Sequence, residues 1–251
     1  MTNIHIITPI VTDGFRNNEP LLAAVPAGCN VEIRSLENGP ASVESAVDEV
    51  LAAPGVVDAA LRAENEGANA VVIDCMLDPG LDAAREAVGI PVIGCGEAAL
   101  KAAAAHGAFS IITVLQRQER AFRELCARYL ISDSLRSVRG IGVSVLDLER
   151  DTAHAIDLTT EQVREASRTD GAQAIVYGCT GMLGFAKPAA EALGWPVERI
   201  IDPLPFAVVR AHESVLAGVS TDKDIFQAPE PKLVRGFERW PALEKMMAGK
   251  P

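Results

Sequence analysis

Short apolar runs rich in β-branched residues alternate along the chain with segments whose apolar residues recur at helical spacing. Between positions 42 and 66, for example, Val43, Val47 and Val50 fall on one helical face. The pair Pro54 and Gly55 is expected to break that helix into two pieces. The predicted strands are 4–8, 30–36, 68–74, 90–94, 109–114, 138–147, 172–178 and 198–203. The other predicted helices, which precede a proline-rich tail, are 81–89, 97–106, 117–130, 160–168, 186–194 and 205–218.

The second half of this pattern repeats the first. The segment AVVIDCMLDPG at 70–80 returns as AIVYGCTGMLG at 174–184, and each copy places a cysteine just after an apolar run. Pairs that share an offset of 104 or 105 positions are Cys75 and Cys179, Gly67 and Gly171, Ala70 and Ala174, Thr8 and Thr113, and Pro91 and Pro196.

Nearly continuous apolar strands separated by helices predict an α/β fold with mostly parallel sheets flanked by helices. The repeat predicts two pseudo-symmetric lobes, with residues 1–98 plus 208–251 in one and 99–207 in the other. Ligands bind at the carboxyl ends of strands in open parallel sheets. The active site is therefore expected in the cleft between the lobes.

Composition narrows the classes of partner. The chain of 251 residues is 49% hydrophobic, which is enough for a large core, and its formal net charge is −11. This charge and the lack of a basic stripe exclude a nucleic-acid partner. No apolar run is long enough to span a membrane, and the N-terminal residues do not resemble a signal peptide. Five cysteines without disulfide spacing indicate reduced thiols, so we expect a cytoplasmic protein that acts on a small molecule.

A pair of cysteines at matched positions has a chemical use that a single cysteine lacks. Inverting a carbon beside a carbonyl requires a base on one face and an acid on the other, and Cys75 and Cys179 supply one thiol per lobe. Each cysteine precedes a turn that leads into a predicted helix. Backbone N–H groups there are expected to favour the thiolate and to stabilise an enolate oxygen. No cofactor is required for this chemistry, and no metal is expected because no two histidines have ligand spacing.

Other interpretations explain less of the chain. Any one cysteine alone is best explained as a small core residue, and Cys29, Cys95 and Cys126, which have no repeat counterpart, keep that explanation. GCGEAA at 94–99 fits a dinucleotide-binding loop, but the matching segment IDPLPF of the other lobe has no glycine. GCTG at 178–181 lacks the first glycine of a hydrolase nucleophile elbow, because Tyr177 occupies that position.

Three longer motifs resemble one family of enzymes. DCMLDPGLDAAREAVGIPVIGCGEAAL at 74–100, YGCTGMLG at 177–184 and APEPK at 228–232 resemble segments of the hydantoin and allantoin racemases, within the aspartate/glutamate racemase superfamily. The resemblance implies a two-lobed α/β fold, an acid–base pair formed by Cys75 and Cys179, no cofactor, and a homo-oligomer. It also implies substrate contacts from Thr8, Pro9, Ile10, Met76, Thr113, Thr180 and Gly181.

One departure from the family pattern leaves the substrate open. The family's first strand usually runs into Asn-Pro-Asn-Thr, whereas this chain has Thr8, Pro9, Ile10 and Val11, so an apolar residue replaces a polar one. Buried polar groups are what make a site discriminate among substrates. Aspartate or glutamate racemisation, maleate cis–trans isomerisation and arylmalonate decarboxylation therefore stay open beside a hydantoin-like substrate. A small-ligand-binding protein without catalysis is the alternative from another class.

Overall fold

The computed structural model describes residues 1–249 of the chain. These residues form two compact units. Unit 1 comprises Met1–Asp13, Val25–Gly94 and the chain from Val208 onward, and unit 2 comprises Gly14–Ala24 and Cys95–Ala207. The sequence-based division differs at two places, since it gave residues 14–24 and 95–98 to the first lobe.

Strands and helices alternate along the chain, as the hydrophobic pattern predicts. The strands are β1 (Thr2–Thr8), β2 (Cys29–Ser35), β3 (Ala70–Ile73), β4 (Val92–Gly94), β5 (Phe109–Thr113), β6 (Leu135–Gly140), β7 (Ala174–Tyr177) and β8 (Ile200–Ile201). The helices are α1 (Glu19–Ala24), α2 (Ala46–Asn65), α3 (Leu81–Ala87), α4 (Cys95–Ala105), α5 (Glu119–Arg128), α6 (Thr152–Thr169), α7 (Ala186–Leu193), α8 (Pro203–Leu216) and α9 (Pro241–Met247).

Within residues 1–249, each unit has one four-stranded parallel sheet, and the two sheets have the same topology. The strand order is β2-β1-β3-β4 in unit 1 and β6-β5-β7-β8 in unit 2. Ile6 of β1 pairs with Ile33 of β2 and Val72 of β3. At the equivalent position of unit 2, Ile111 pairs with Val138 and Val176, although β5 and β6 shift register between Phe109 and Ile111. The predicted α/β fold of two parallel sheets flanked by helices is confirmed, with the repeat extending to individual pairs of residues.

The repeat also includes an ion pair and breaks at one strand. Arg34 on β2 pairs with Glu66 after α2, and in unit 2 Arg139 on β6 pairs with Asp170 after α6. At the other edge, β4 begins directly after Pro91, whereas a 3-10 turn (Val197–Arg199) separates Pro196 from β8. The proline landmark therefore marks equivalent places in sequence but not in strand register.

The predicted break in α2 is wrong, because the helix continues through Pro54. Proline removes one helical N–H, but the carbonyl it would have served belongs to Val50, which is 71% exposed and accessible to water. Gly55 does not interrupt the helix, and it allows the loop after β2 to pack closely against it. A Cβ there would lie 2.8 Å from both the Asn38 carbonyl oxygen and Leu36 Cδ1.

Two further element boundaries differ most from the predictions. The strand predicted to reach Asp147 ends at Gly140, since Gly142 adopts a φ of +80° and Val145–Asp147 forms a 3-10 turn. Helix α6 begins at Thr152, not at 160, because the Asp151 side chain accepts the His154 N–H at 3.1 Å and caps it. An apolar pattern misses both features, since both depend on turn and cap residues.

Two short helices, α1 and α9, were not predicted. Helix α9 begins at a proline and is capped from α2, where Asp58 Oδ1 accepts the N–H groups of Ala242 and Leu243 at 2.7 and 3.0 Å. Asp58 is 1% exposed and also pairs with Arg62. In the described part of the chain, no helix combines the length and the apolar character that crossing a bilayer requires.

Candidate active site

Cys75 lies just beyond the carboxyl end of β3, the strand between β1 and β4. The N–H of Asp74 still donates to the Ile7 carbonyl of β1 at 2.9 Å. A tight turn follows, in which the Asp78 N–H donates to the Cys75 carbonyl at 3.2 Å. Cys75 is half-buried, whereas Asp74 is only 2% exposed. The thiol of unit 1 thus has a buried carboxyl group as its neighbour in the chain.

The turn after Cys75 depends on Gly94 at the end of β4. Asp78 adopts a φ of +48°, and its carboxyl atoms lie 2.5–2.7 Å from the place where a Gly94 Cβ would stand. Any side chain at 94 would displace this carboxyl group, which is 5% exposed. The first glycine of GCGEAA is therefore explained by packing against the Cys75 turn.

Cys179 lies at the equivalent end of β7. The Gly178 N–H donates to the Ile112 carbonyl of β5 at 2.7 Å, and Cys179 opens a 3-10 turn (Thr180–Met182). The Gly181 N–H donates to Cys179 Sγ at 3.3 Å, and Cys179 is 9% exposed. A backbone N–H directed at sulfur stabilises the thiolate more than the thiol, because hydrogen bonds to charged acceptors are stronger.

Two strand-end threonines connect to the residues that precede the cysteines. Thr8, at the end of β1, donates its hydroxyl to Asp74 Oδ2 at 2.9 Å. In unit 2 the Thr113 hydroxyl lies 2.7 Å from Gln118 Oε1 and 3.3 Å from the Gly178 carbonyl oxygen. Both threonines are at most 2% exposed. The matching hydroxyl therefore has a carboxyl acceptor in unit 1 and neutral acceptors in unit 2.

Residues 14–24 pack against the turn that follows Cys179. Phe15 Cε2 lies 3.6 Å from the place of a Gly181 Cβ, and Pro20 Cγ lies 2.9 Å from that of Gly184. Arg16, which is 6% exposed, donates from Nη1 to the Thr180 carbonyl at 3.3 Å. Its Nε donates to Asn18 at 2.9 Å, and its Cζ lies 4.8 Å from the Phe15 ring centre.

A second set of polar groups supports the chain after Cys179. The Gly184 N–H donates to Asp202 Oδ2 at 2.8 Å, which ties this chain to the end of β8. Tyr177 is fully buried, and within residues 1–249 its hydroxyl has no hydrogen-bond partner. Burial and the nearby Asp202 carboxylate raise the pKa of Tyr177, so its phenol is neutral at ordinary pH.

The loop after β1 is fixed by the loop after β2. The Leu36 N–H donates to the Ile10 carbonyl at 2.8 Å, and the Val11 N–H donates to the Pro40 carbonyl at 2.9 Å. Ile10 is 4% exposed, so it belongs to the buried face of this loop. The structure thus brings the candidate residues together in two sets. Those of unit 1 are Thr8, Pro9, Ile10, Cys75 and Met76, and those of unit 2 are Thr113, Cys179, Thr180 and Gly181.

The remaining cysteines have structural surroundings. Cys126 is fully buried on α5, and burial raises its pKa to about 11. Cys29 begins the edge strand β2, where burial also raises its pKa. Cys95 opens α4 and is fully buried. None of the cysteines is in a disulfide, and the described residues contain no His, Cys, Asp or Glu cluster with the arrangement of a metal site.

Sequence reasoning missed three residues of these sites, Arg16, Gln118 and Asp202. Arg16 lies in the polar segment DGFRNNEP, which looks like an exposed turn, and nothing local marks its burial. Gln118 sits in the charged run RQERAFRELCAR at 117–128, a pattern typical of a solvated helix face, yet Gln118 is 5% exposed. Asp202 directly follows β8, so its place at a strand carboxyl end was the one available signal.

Comparison with known proteins identifies relatives over most of the chain. The family model described as Asp/Glu/Hydantoin racemase matches residues 15–211. A hydantoin racemase of Pseudomonas sp. (strain NS671) is 38% identical over 196 residues, which cover 77% of this chain and 78% of that protein. A hydantoin racemase of Rhizobium meliloti is 35% identical over 240 residues, which cover 94% of this chain and 98% of that protein.

A solved structure agrees with these sequence matches. The allantoin racemase from Klebsiella pneumoniae superposes with a TM-score of 0.88 at 31% sequence identity. The match covers 96% of this chain and 99% of that one. Similarity therefore extends over both units and includes both cysteine turns.

Proposed function

Because the chain belongs to the Asp/Glu/hydantoin racemase family, we propose that it is a cofactor-independent racemase of hydantoin-like substrates, namely 5-substituted hydantoins or allantoin. The names of the relatives, hydantoin racemase and allantoin racemase, support this substrate class. The observation that carries the proposal is the repeat, because Cys75 and Cys179 follow equivalent strands, β3 and β7, in sheets of identical topology.

The proposed reaction is a proton transfer through two thiols. One cysteine, as the thiolate, takes the proton from the ring carbon beside a carbonyl, and the C–H electron pair moves into the carbonyl to form an enolate. The opposite cysteine, as the thiol, then gives its proton to the other face of that carbon. The substrate leaves with inverted configuration and the two cysteines have exchanged protonation states. No electrons are lost or gained overall, so no redox cofactor takes part.

The surrounding residues receive supporting roles in this proposal. Backbone N–H groups of the turns after Cys75 and Cys179 stabilise negative charge on sulfur or on the enolate oxygen. Pro9, Ile10, Met76, Thr180 and Gly181 are assigned to the walls of the substrate site. Thr8 and Thr113, whose hydroxyls bind Asp74 and Gln118, are assigned to hold the chain around each cysteine.

Replacing the two cysteines one at a time tests the proposal. We expect Cys75→Ser and Cys179→Ser each to lower the rate of racemisation roughly 10²- to 10⁴-fold, the range of general acid–base catalysis. The rate is followed by loss of circular dichroism from L- and D-5-substituted hydantoins and from allantoin. Solvent deuterium at the inverted carbon provides a second readout. Cys29→Ser and Cys126→Ser, which replace thiols outside both turns, are the matched controls.

Each other outcome has a defined meaning. Full activity in either active-site variant would contradict the assigned roles. A wild-type protein that binds hydantoins but incorporates no deuterium would be the non-catalytic ligand-binding protein. Testing aspartate, glutamate, maleate and arylmalonates in the same assays separates the other reactions of the superfamily. Activity on one of these, with none on hydantoins or allantoin, would overturn the substrate class.

The proposal also has consequences for handling the enzyme. A racemase that uses only thiols keeps its activity after dialysis against EDTA, and a loss restored by a divalent metal would contradict the mechanism. We expect alkylating reagents to abolish the activity, because they block the thiols. The mechanism also requires that both thiols stay reduced, as thiols do in the cytoplasm. We expect a homo-oligomer, as the family resemblance implies, which light scattering measures directly.

A further inference from the structure

The two cysteine turns differ in charge. At Cys75 the preceding residue is a buried aspartate whose carboxylate accepts the Thr8 hydroxyl. At Cys179 the preceding residue is Gly178, and the buried charged group bonded to the turn is the guanidinium of Arg16. A racemase of the proposed kind needs one thiolate and one thiol before the substrate binds, so this difference bears on which cysteine is ionised.

Arg16 acts on the peptide group that contacts the sulfur of Cys179. Its Nη1 donates to the Thr180 carbonyl at 3.3 Å, and the N–H of that same peptide unit, carried by Gly181, donates to Cys179 Sγ at 3.3 Å. In a trans peptide the C=O and the N–H lie in one plane and point in opposite directions. A cation on the oxygen therefore polarises the N–H towards sulfur, because bonds in a chain of hydrogen bonds strengthen one another.

We propose that Arg16 is a positioning residue that keeps Cys179 as the thiolate in the resting enzyme, so that Cys179 is the base and Cys75 the acid when substrate first binds. This inference rests on the proposed two-cysteine function and deepens it. Removing the Arg16 charge raises the pH at which Cys179 ionises. It also moves the acidic limb of the kcat/KM profile to higher pH, since that limb reports formation of the base.

Other charged or titratable groups of unit 2 lie further along the same chain segments. The Asp202 carboxylate is bonded at Gly184, beyond the 3-10 turn, and Glu149 accepts the N–H of Asn17 at 2.9 Å. Tyr177 is neutral, for the reason given above. Arg16 is the one cation among the four groups Asp202, Glu149, Tyr177 and Arg16. Its guanidinium binds the Thr180 carbonyl, which lies within the turn that Cys179 opens.

The test is a thiol titration that needs no substrate. Protein labelled with carbon-13 at the cysteine Cβ is titrated by NMR, and the Cys179 signal is assigned with Cys179→Ser. We expect Arg16→Gln, which keeps a donor but loses the charge, to raise the Cys179 titration midpoint by about one unit or more. Arg16→Lys, which keeps the charge, returns the midpoint most of the way to wild type. Arg139→Gln removes a guanidinium that is bonded to Asp170 and leaves the midpoint unchanged.

The outcomes separate this inference from the proposed function. An unchanged Cys179 midpoint in Arg16→Gln overturns the inference, and so does an equal rise in Arg139→Gln. If Arg16→Gln does not fold, the wild-type titration decides, because the inference requires Cys179 to ionise at lower pH than Cys75. A shifted midpoint in a protein without racemase activity keeps the role of Arg16 and rejects the proposed function. An active racemase in which the Arg16→Gln midpoint is unshifted keeps the proposed function and rejects the role of Arg16.

Discussion

The two cysteine turns occupy equivalent places in the repeat but differ in their charged surroundings. Both follow an inner strand of a four-stranded parallel sheet, and each is held by a strand-end threonine. The acceptor of that threonine is the Asp74 carboxylate in unit 1 and the Gln118 amide in unit 2. The repeat thus preserves the positions of the thiols while the charge beside them differs. In the proposed mechanism, this difference would determine which thiol is ionised before the substrate binds.

The largest difference between the turns is the side chain before each cysteine, and Gly178 tests it. A Cβ at 178 would lie 2.6 Å from Thr113 Cβ and 2.9 Å from Ile111 Cγ2, so the glycine is required by space. We expect Gly178→Ala to lower the free energy of unfolding by about 3 kcal/mol, at the upper end for overpacking a core. Urea denaturation measures the loss. Gly89→Ala, where the Cβ would meet only Glu64 Oε1 at an ordinary contact distance of 3.4 Å, is the control. Equal losses would show that Gly178 is not under steric constraint.

The two threonines give the next largest effect. Thr8→Val removes the hydrogen bond to a buried carboxylate, which is worth about 2 kcal/mol, while Thr113→Val removes one to a neutral amide, worth about 1 kcal/mol. Valine keeps the shape of threonine, so the pair isolates the hydroxyl. Both values come from urea denaturation at neutral pH. A loss in Thr113→Val that equals or exceeds the loss in Thr8→Val would remove the charge difference on which the comparison depends.

The smallest effect comes from the repeated ion pairs on the edge strands. Arg34 and Glu66 are each 44% exposed, whereas the side chains of Arg139 and Asp170 are 25% and 18% exposed. Exposed ion pairs contribute little because water and salt screen them. We expect Arg139→Met to cost about 1 kcal/mol and Arg34→Met to cost less than about 0.5 kcal/mol in urea denaturation. The reverse order would show that burial does not govern these pairs.

The same pair predicts a dependence on pH. Hydrogen bonds from Arg139 and then Ser137 lower the pKa of Asp170 below its ordinary 3.8. A carboxyl group whose folded pKa is lowered stabilises the protein fully above its unfolded pKa, and this contribution is lost as the pH falls through the folded value. Wild type should therefore lose more stability than Arg139→Met between about pH 5 and pH 3. Parallel curves over that range would contradict the assignment.

The sequence predicts the architecture well because the architecture depends on patterns that repeat along the chain. The apolar runs locate all the strands of both sheets, and the offset between Cys75 and Cys179 anticipates their equivalent places after β3 and β7. The continuity of α2 through Pro54 was not predictable, because it depends on packing of Gly55 against the loop after β2. The predicted break followed a local rule that tertiary contacts override.

The parts of the candidate site that the sequence did not predict are contacts between distant segments. Arg16 is buried in a place where its guanidinium donates a hydrogen bond to the carbonyl of Thr180, a residue far away in the sequence. Gln118 becomes a partner of Thr113 only once a 3-10 turn brings it back to the end of β5. Neither position carries a motif, since an arginine or a glutamine in a polar segment is most simply a surface residue. Motifs thus identify the thiols, and folding supplies their surroundings.

The excursion of residues 14–24 into unit 2 has a consequence for synthesis on the ribosome. These residues are translated soon after β1, but the residues they pack against, Gly181 and Gly184, are translated only after β7. Phe15 and Pro20 therefore lack these packing partners while most of the protein is being synthesised. A nascent chain stalled before residue 180 would leave Phe15 and Pro20 without their packing partners, and a polypeptide that starts at Cys95 would leave its own cysteine turn uncovered.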